Sequence, residues 1–183
     1  MKAKPLRYGE LDRSVVVAAA LRVAERGGVP SVTVRSLATE LGLSTTAMYR
    51  YVDGKAELLN LIAEATLASV ELPESGSWQQ RIRVVAESSR RAMLRIDGIA
   101  DILQTHPAKG AAQQVDSLIR QLVTDAGVPA DKRESAQILL MIFILGSVKF
   151  EQAIEGLSHQ LAEDPETRFQ QGLDIVIAGL EAI

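Results

Sequence analysis

Apolar residues recur along this chain at intervals of three and four, and nowhere do they alternate with polar ones long enough to make a strand. In residues 12–26, Val16, Ala19, Ala20 and Val23 fall at i, i+3, i+4 and i+7 and mark the buried stripe of a first helix. Asp12 stands at its N-cap and Gly27-Gly28 at its stop. After Val29-Pro30 the pattern predicts a short helix over 33–41, ended by Gly42, and a second over 44–51. Asp53-Gly54 turns the chain into a longer helix, 55–70, and Pro73-Glu74-Ser75-Gly76 is the clearest break. Ser77, with Gln80 at capping-box spacing, opens a helix to 96. A short helix over 99–104 stops at Thr105-His106-Pro107, and another runs over 109–125 to Gly127. Residues 131–155 hold the most apolar stretch, and Asp164-Pro165 starts a last helix to the C-terminus. The reading is all-α, with about nine helices, no sheet and no internal repeat.

Composition narrows this further. Hydrophobic residues make up 47% of the chain and charged ones 23%, which excludes a disordered or low-complexity scaffold, and 4% aromatics disfavours a sandwich or barrel. There is no cysteine, which excludes disulfide frameworks and thiol chemistry and fits the cytoplasm. The longest apolar run, 138–148, is interrupted by Gly146 and Ser147 and ended by Lys149, so no membrane span is expected. The charged start, Met1-Lys2-Ala3-Lys4-Pro5, does not read as a signal peptide. The net charge of −3 divides unevenly: residues 1–60 carry nine Lys/Arg against six Asp/Glu, and the remainder 11 against 17. A basic head on an acidic body suits a protein that meets phosphate with one end.

Residues 33–52 carry the function. Two helices joined by a tight turn need a small residue where they cross and a glycine where the backbone turns. Ala38 and Gly42 stand there, with Leu37, Leu41, Leu43 and Met48 closing the small core between them. This is a helix-turn-helix. The start of its second helix, Ser44-Thr45-Thr46-Ala47, is short and polar, so backbone and hydroxyls can approach base edges and small methyls can meet thymine. Tyr49, Arg50 and Tyr51 then offer two hydroxyl-tipped arms and a guanidinium for phosphates, although Tyr51 also lies on the side of Met48, where a core residue would stand. Arg35 is placed for bidentate contact to guanine, and Lys55 opens a helix whose amides already favour an anion. The DNA-contacting set is therefore Thr33, Arg35, Ser44, Thr45, Thr46, Ala47, Tyr49, Arg50, Tyr51 and Lys55. A surface-charge role for Arg35 and Lys55 is the plainer alternative.

The same residues resemble a known family. Ala-Ala-Leu-Arg-Val-Ala-Glu-Arg-Gly-Gly (19–28), Val-Thr-Val-Arg-Ser-Leu-Ala (32–38), Leu-Gly-Leu-Ser (41–44), Met-Tyr-Arg-Tyr-Val (48–52) and Lys-Ala-Glu-Leu-Leu (55–59) are similar to the DNA-binding domain of the tetracycline-repressor (TetR) family. More loosely, Ser77-Trp78, the Asp97-Gly98 break, Thr105-x-Pro107 and Ile142-Phe143-Ile144-Leu145-Gly146 resemble the tetracycline-repressor subclass. The resemblance implies a homodimer with an N-terminal helix-turn-helix domain, 1–62, whose connecting helix begins near 55, and a C-terminal ligand-binding and dimerisation domain, 63–183. It implies a regulator, most often a repressor released from a palindromic operator by a small molecule. Where that subclass holds a magnesium-binding histidine this chain has Ile102, and Val85 and Ser89 replace other drug-contacting residues, so tetracycline is not the expected effector.

A mostly apolar pocket is expected from Ile82, Val85, Met93, Ile102, Leu103, Thr105, His106, Leu118, Leu122, Met141 and Phe150, suited to an apolar or aromatic effector with no metal ion. The apolar surplus of the last two long helices predicts the dimer interface: Ile138, Leu139, Met141, Ile142 and Leu145 with Phe169, Leu173, Ile175, Val176 and Leu180. His106 and His159 are isolated, and no metalloprotease spacing, nucleophile elbow, phosphate-binding loop or dinucleotide fingerprint is present, so neither metal, cofactor nor catalysis is expected. The alternative reading is a helical interaction module whose 138–148 face docks a partner helix. The basic terminal residues Lys2, Lys4 and Arg7 read first as an unstructured terminus and second as a minor-groove arm.

Overall fold

Several helices in this chain begin where a side-chain oxygen meets the free amides of a first turn. Asp12 accepts from the Val15 amide at 3.0 Å and starts α1, Arg13–Gly27. Thr33 accepts from Ser36 at 3.0 Å, with a reciprocal bond from its own amide to the Ser36 hydroxyl at 2.9 Å, and starts α2, Val34–Leu41. Ser44 accepts from Ala47 at 3.1 Å and starts α3, Thr45–Met48. Asp164 accepts from Thr167 at 3.0 Å. The remaining helices are α4, Lys55–Leu67; α5, Trp78–Leu94; α6, Ile99–Thr105; α7, Ala111–Asp125; α8, Arg133–Ala153; and α9, Pro165–Glu181. The computed structural model describes residues 12–105, 109–154 and 164–183, and among these there is no strand. A single 3-10 turn, Val29–Ser31, follows α1.

The described residues form two compact units. The first is 12–68 together with 95–105. Here α1 packs on α2 and α4, and α2 on α3. Ala19, Ala20 and Ala24 are wholly buried on α1, so the helices approach closely, while Leu37, Met48, Leu58 and Ile62 fill the space between. The division differs from a boundary at residue 62, because α6 packs on α4 and returns to this unit. The segment leading into α6 is docked at the end of α1. The Val29 amide donates to the Asp97 carbonyl at 2.9 Å, and Arg95 pairs with Glu25. Gly28 has φ of +68°, and a Cβ there would lie 3.0 Å from the same carbonyl, so glycine is required twice over.

The second unit contains α5, α7, α8 and α9. α8 packs on α5, α7 and α9, burying Ala136, Gln137, Leu140, Ile144 and Val148, and the Gln137 amide group donates to Asp116 on α7. α5 and α9 run antiparallel along a polar seam: Gln79 to Glu181 at 2.9 Å, Arg83 to Asp174 at 2.5 Å, Glu87 to Gln170 at 3.0 Å, and Arg90 to Glu166. Arg90 is only 6% exposed. Its guanidinium forks onto Glu151 of α8 with two 3.0 Å bonds, pairs with Glu166 of α9, and lies 5.2 Å over the Phe169 ring.

Two expectations change here. Phe169, Leu173 and Leu180, expected to face a second chain, are at most 3% exposed, because the i, i+4, i+11 stripe of α9 is used inside its own unit. Counted as a whole helix rather than as an unbroken apolar run, α8 is also long and apolar enough to cross a membrane. Its buried face nevertheless belongs to the packed core of this unit.

Arg90→Ala should destabilise the chain by about 2–3 kcal/mol, since it leaves the part-buried Glu151 without its partner and strips the cover from the Phe169 ring; urea unfolding checks it. Glu166 is held below its usual value of 4.5, chiefly by the Gln170 amide group and then by Arg90. A depressed carboxylate stabilises the fold fully above that usual value and loses its contribution as pH falls through the lowered one. Glu166→Gln should therefore flatten the loss of stability below pH 4.5, measured by melts at pH 3 and pH 7.

Candidate nucleic-acid interface

The turn between α2 and α3 is made by Gly42, whose φ of 68° and ψ of 28° are left-handed and whose amide reaches back to the carbonyls of α2. Leu43 follows with its amide on Ala38 at 2.8 Å, which closes the turn. The Ala38 side chain is 2% exposed and Met48 wholly buried, so α3 rests on α2 as the spacing required. Glu40 fixes α2 to α1 from outside, accepting from Arg26 at 2.5 Å and Arg22 at 2.9 Å. These two arginines hold its carboxyl below the usual carboxylate range.

α3 is shorter than the helix expected over 44–51. It ends at Met48, and the amides of Arg50 and Tyr51 turn instead to carbonyls three residues back, Ala47 at 3.2 Å and Met48 at 2.9 Å. This tightening places Tyr49 and Tyr51 at the surface, 58% and 42% exposed, and removes the reading of Tyr51 as core. Thr33, Arg35, Ser44, Thr45, Thr46, Arg50 and Lys55 are exposed as well, and Ala47 is half-buried. Ser44 and Thr33 have their hydroxyls in caps, so each serves the helix first and offers what remains of its hydrogen-bonding capacity outward. The candidate set thus lies on the α2 start, α3, the turn after it and the α4 start, all within the first unit. The arm residues Lys2, Lys4 and Arg7 lie outside the described residues.

Residues 16–62 match the family model of bacterial regulatory proteins of the tetR family, and residues 71–167 match the tetracyclin repressor-like C-terminal domain. A tetracycline repressor protein of class D from Escherichia coli is 31% identical, over 93% of this chain and 89% of its own. The chain belongs to the TetR family. Among solved structures, a single-substitution variant of TetR from Acinetobacter baumannii, in complex with minocycline, is 29% identical with a TM-score of 0.79, covering 94% of each chain. The fold is also that of ActR from Streptomyces coelicolor, solved in complex with actinorhodin, at a TM-score of 0.82 and 23% identity over 96% of this chain and 97% of that one. As a TetR-family member, the chain is a DNA-binding transcriptional regulator with a ligand-binding C-terminal domain.

The effector residues expected from sequence are distributed between the two units. Ile82, Val85, Met93 and Leu122 lie in the second and are packed, at most 3% exposed; Leu118 and Met141 are half-buried there, and Phe150 is exposed at 50%. Ile102, Leu103 and Thr105 stand on α6 in the first, the first two half-buried and Thr105 exposed; His106 lies outside the described residues. A cavity of about 480 Å³ opens between α7 and α8, lined by Asp116, Arg120, Glu134, Gln137, Ile138 and Met141. Only Met141 of the expected set lines it. Among the described residues, no group of three or more His, Asp or Glu is placed to hold a metal ion.

Gly42→Val should cost about 1–2 kcal/mol, because a β-branched residue resists left-handed backbone, whereas Gly42→Asn should be better tolerated. Thermal melts of the two variants, with operator binding read in parallel, check this.

Proposed function

We propose that the chain is a homodimeric repressor that holds a palindromic operator and releases it when a small, apolar, metal-free effector binds. The observation carrying this is the exposed group Arg35, Thr45, Thr46, Tyr49, Arg50, Tyr51 and Lys55 around a short helix seated on a glycine turn. In this reading Arg35 and the start of α3 read base edges, the tyrosines and Arg50 meet phosphates, and Lys55 adds charge at the N-terminus of α4. The work is binding, not catalysis, and it takes place in the cytoplasm, where the DNA is.

The second copy joins through α8 and α9. Ile138, Leu139 and Ile142 are 47%, 51% and 61% exposed, and Ile175 is 74% exposed. With the half-buried Met141, Leu145 and Val176 they leave an apolar face that a two-fold copy of itself would cover. Two heads then meet successive major-groove faces about 34–36 Å apart. Because Ile102 stands where the tetracycline subclass carries its metal-binding histidine, the effector is taken to bind without magnesium.

Ile138→Glu with Ile142→Glu should shift sedimentation from dimer to monomer at micromolar concentration; a stable wild-type monomer would overturn the dimer. On duplexes from the intergenic DNA beside the gene, Arg35→Ala should lose about 1–3 kcal/mol and relax specificity at one position. Lys55→Ala should weaken all duplexes alike and lower the salt slope by about one unit per contact removed. If salt-dependent footprinting finds no protected palindrome, the repressor reading fails.

A further inference from the structure

The last turn of α2 carries a carboxylate that the helix itself does not favour. A negative charge at a helix C-terminus meets the negative end of the macrodipole, and Glu40 is the penultimate residue of α2. Its two oxygens are divided between two arginines of α1, Oε1 accepting from Arg22 at 2.9 Å and Oε2 from Arg26 at 2.5 Å. Those arginines stand four residues apart on one face of α1 and would repel each other without it. Both are at least half exposed, and exposed pairs of this kind add little stability. The worth of the triad lies in geometry.

The buried face of α1 is made only of alanines and valines, side chains too short to interlock deeply, so sliding or rotation of α2 against it is weakly opposed. The start of α2 is tied down by serines. The Ser36 hydroxyl donates to the Ser31 carbonyl at 2.8 Å, and the Ser31 hydroxyl donates to the Val23 carbonyl of α1 at 3.0 Å. The other end is tied down by Glu40. Beyond it α3 has little freedom, because the Gly42 and Leu43 amides both return to the Ala38 carbonyl. Any swing of the α2 end is thus passed on to Ser44 and the first turn of α3. We propose that Glu40 is a positioning residue for base reading: by pinning the end of α2 to α1 it sets where Thr45, Thr46 and Ala47 meet base edges, without itself touching base or phosphate. This rests on the reading of α3 as the base-reading helix. A cation follows a phosphate through a small shift, whereas contacts to base edges do not, so the effect falls on discrimination.

The test uses the full chain and three duplexes: an intergenic palindrome, the same duplex with one base pair exchanged in each half-site, and an unrelated duplex of equal length. In Glu40→Gln the preference for the palindrome should fall about ten-fold, comparable to one mismatched base pair. Affinity for the unrelated duplex and the salt slope should stay as in the wild type. Glu40→Arg combined with Arg26→Glu rebuilds the pair with its signs exchanged and the net charge kept, and should restore the preference. On the free protein, hydrogen exchange at the Leu43 and Met48 amides should quicken in Glu40→Gln and recover in the double variant, while the Leu37 amide near the start of α2 is unchanged. The proposal is overturned if preference or exchange is unaltered in Glu40→Gln, or if the double variant stays as low as the single one. It is equally overturned if all three duplexes weaken together as the melting point drops, the mark of a merely structural role. A wild type without preference among the duplexes would sink the base-reading role of α3, while the exchange comparison still decides whether Glu40 holds that helix in place.

Discussion

A guanidinium that cannot lose its proton is buried at the meeting of three helices, and the C-terminal unit is arranged around that demand. Arg90 needs carboxylates within reach, and it takes them from two different helices, Glu151 on α8 and Glu166 on α9. Sliding α5 against α8 by a turn would part the buried guanidinium from Glu151, the carboxylate it grips with two bonds. The register of α5 against α9 follows from this, and the weaker contacts of the seam, such as Gln79 with Glu181, fall into step along it. Those outer contacts are exposed and contribute little individually. Their regularity is a consequence of the clamp more than a cause of the packing.

Fixing α8 in this way decides which of its sides the chain can cover. Ala136, Leu140, Ile144 and Val148 turn inward, so Ile138, Leu139 and Ile142 are necessarily left outside. A helix apolar on both sides is a poor solvent-facing surface but a good wall between two bodies. The same rotation that satisfies one buried ion therefore presents the surface on which the proposed two-fold assembly, and with it the pairing of two DNA heads, would rest.

Local signals made most of the fold legible in the sequence. Asp12, Thr33, Ser77 with Gln80, and Asp164-Pro165 all mark real helix starts, and Gly42 marks the turn it was read to mark. These are short-range effects, in which a side chain meets an amide two or three residues on. What failed to show was set at long range. Periodicity said that α9 was apolar, but not that Phe169, Leu173 and Leu180 would be covered by the chain itself while Ile175 was left out. The end of α3 at Met48 was missed because Tyr49, Arg50 and Tyr51 carry no helix-stop residue among them. On the interface, Tyr49 and Tyr51 are exposed as their DNA-contacting reading required, and only the core alternative for Tyr51 falls away.

The dock between Gly28, Val29 and Asp97 bears on the order in which the protein is made. Roughly a third of the chain separates the two sides of that contact, so the helix-turn-helix emerges from the ribosome long before the segment that completes its unit. Until α6 arrives, the face of α4 on which it packs stays open to water. The DNA-reading element is local in sequence, yet the unit that holds it closes only through a connection of high sequence separation, slow to form by its nature. A nascent chain stalled within α5 would hold the recognition residues in an unfinished unit. The unit that holds the recognition residues is thus closed only after α5 and α6 have been made.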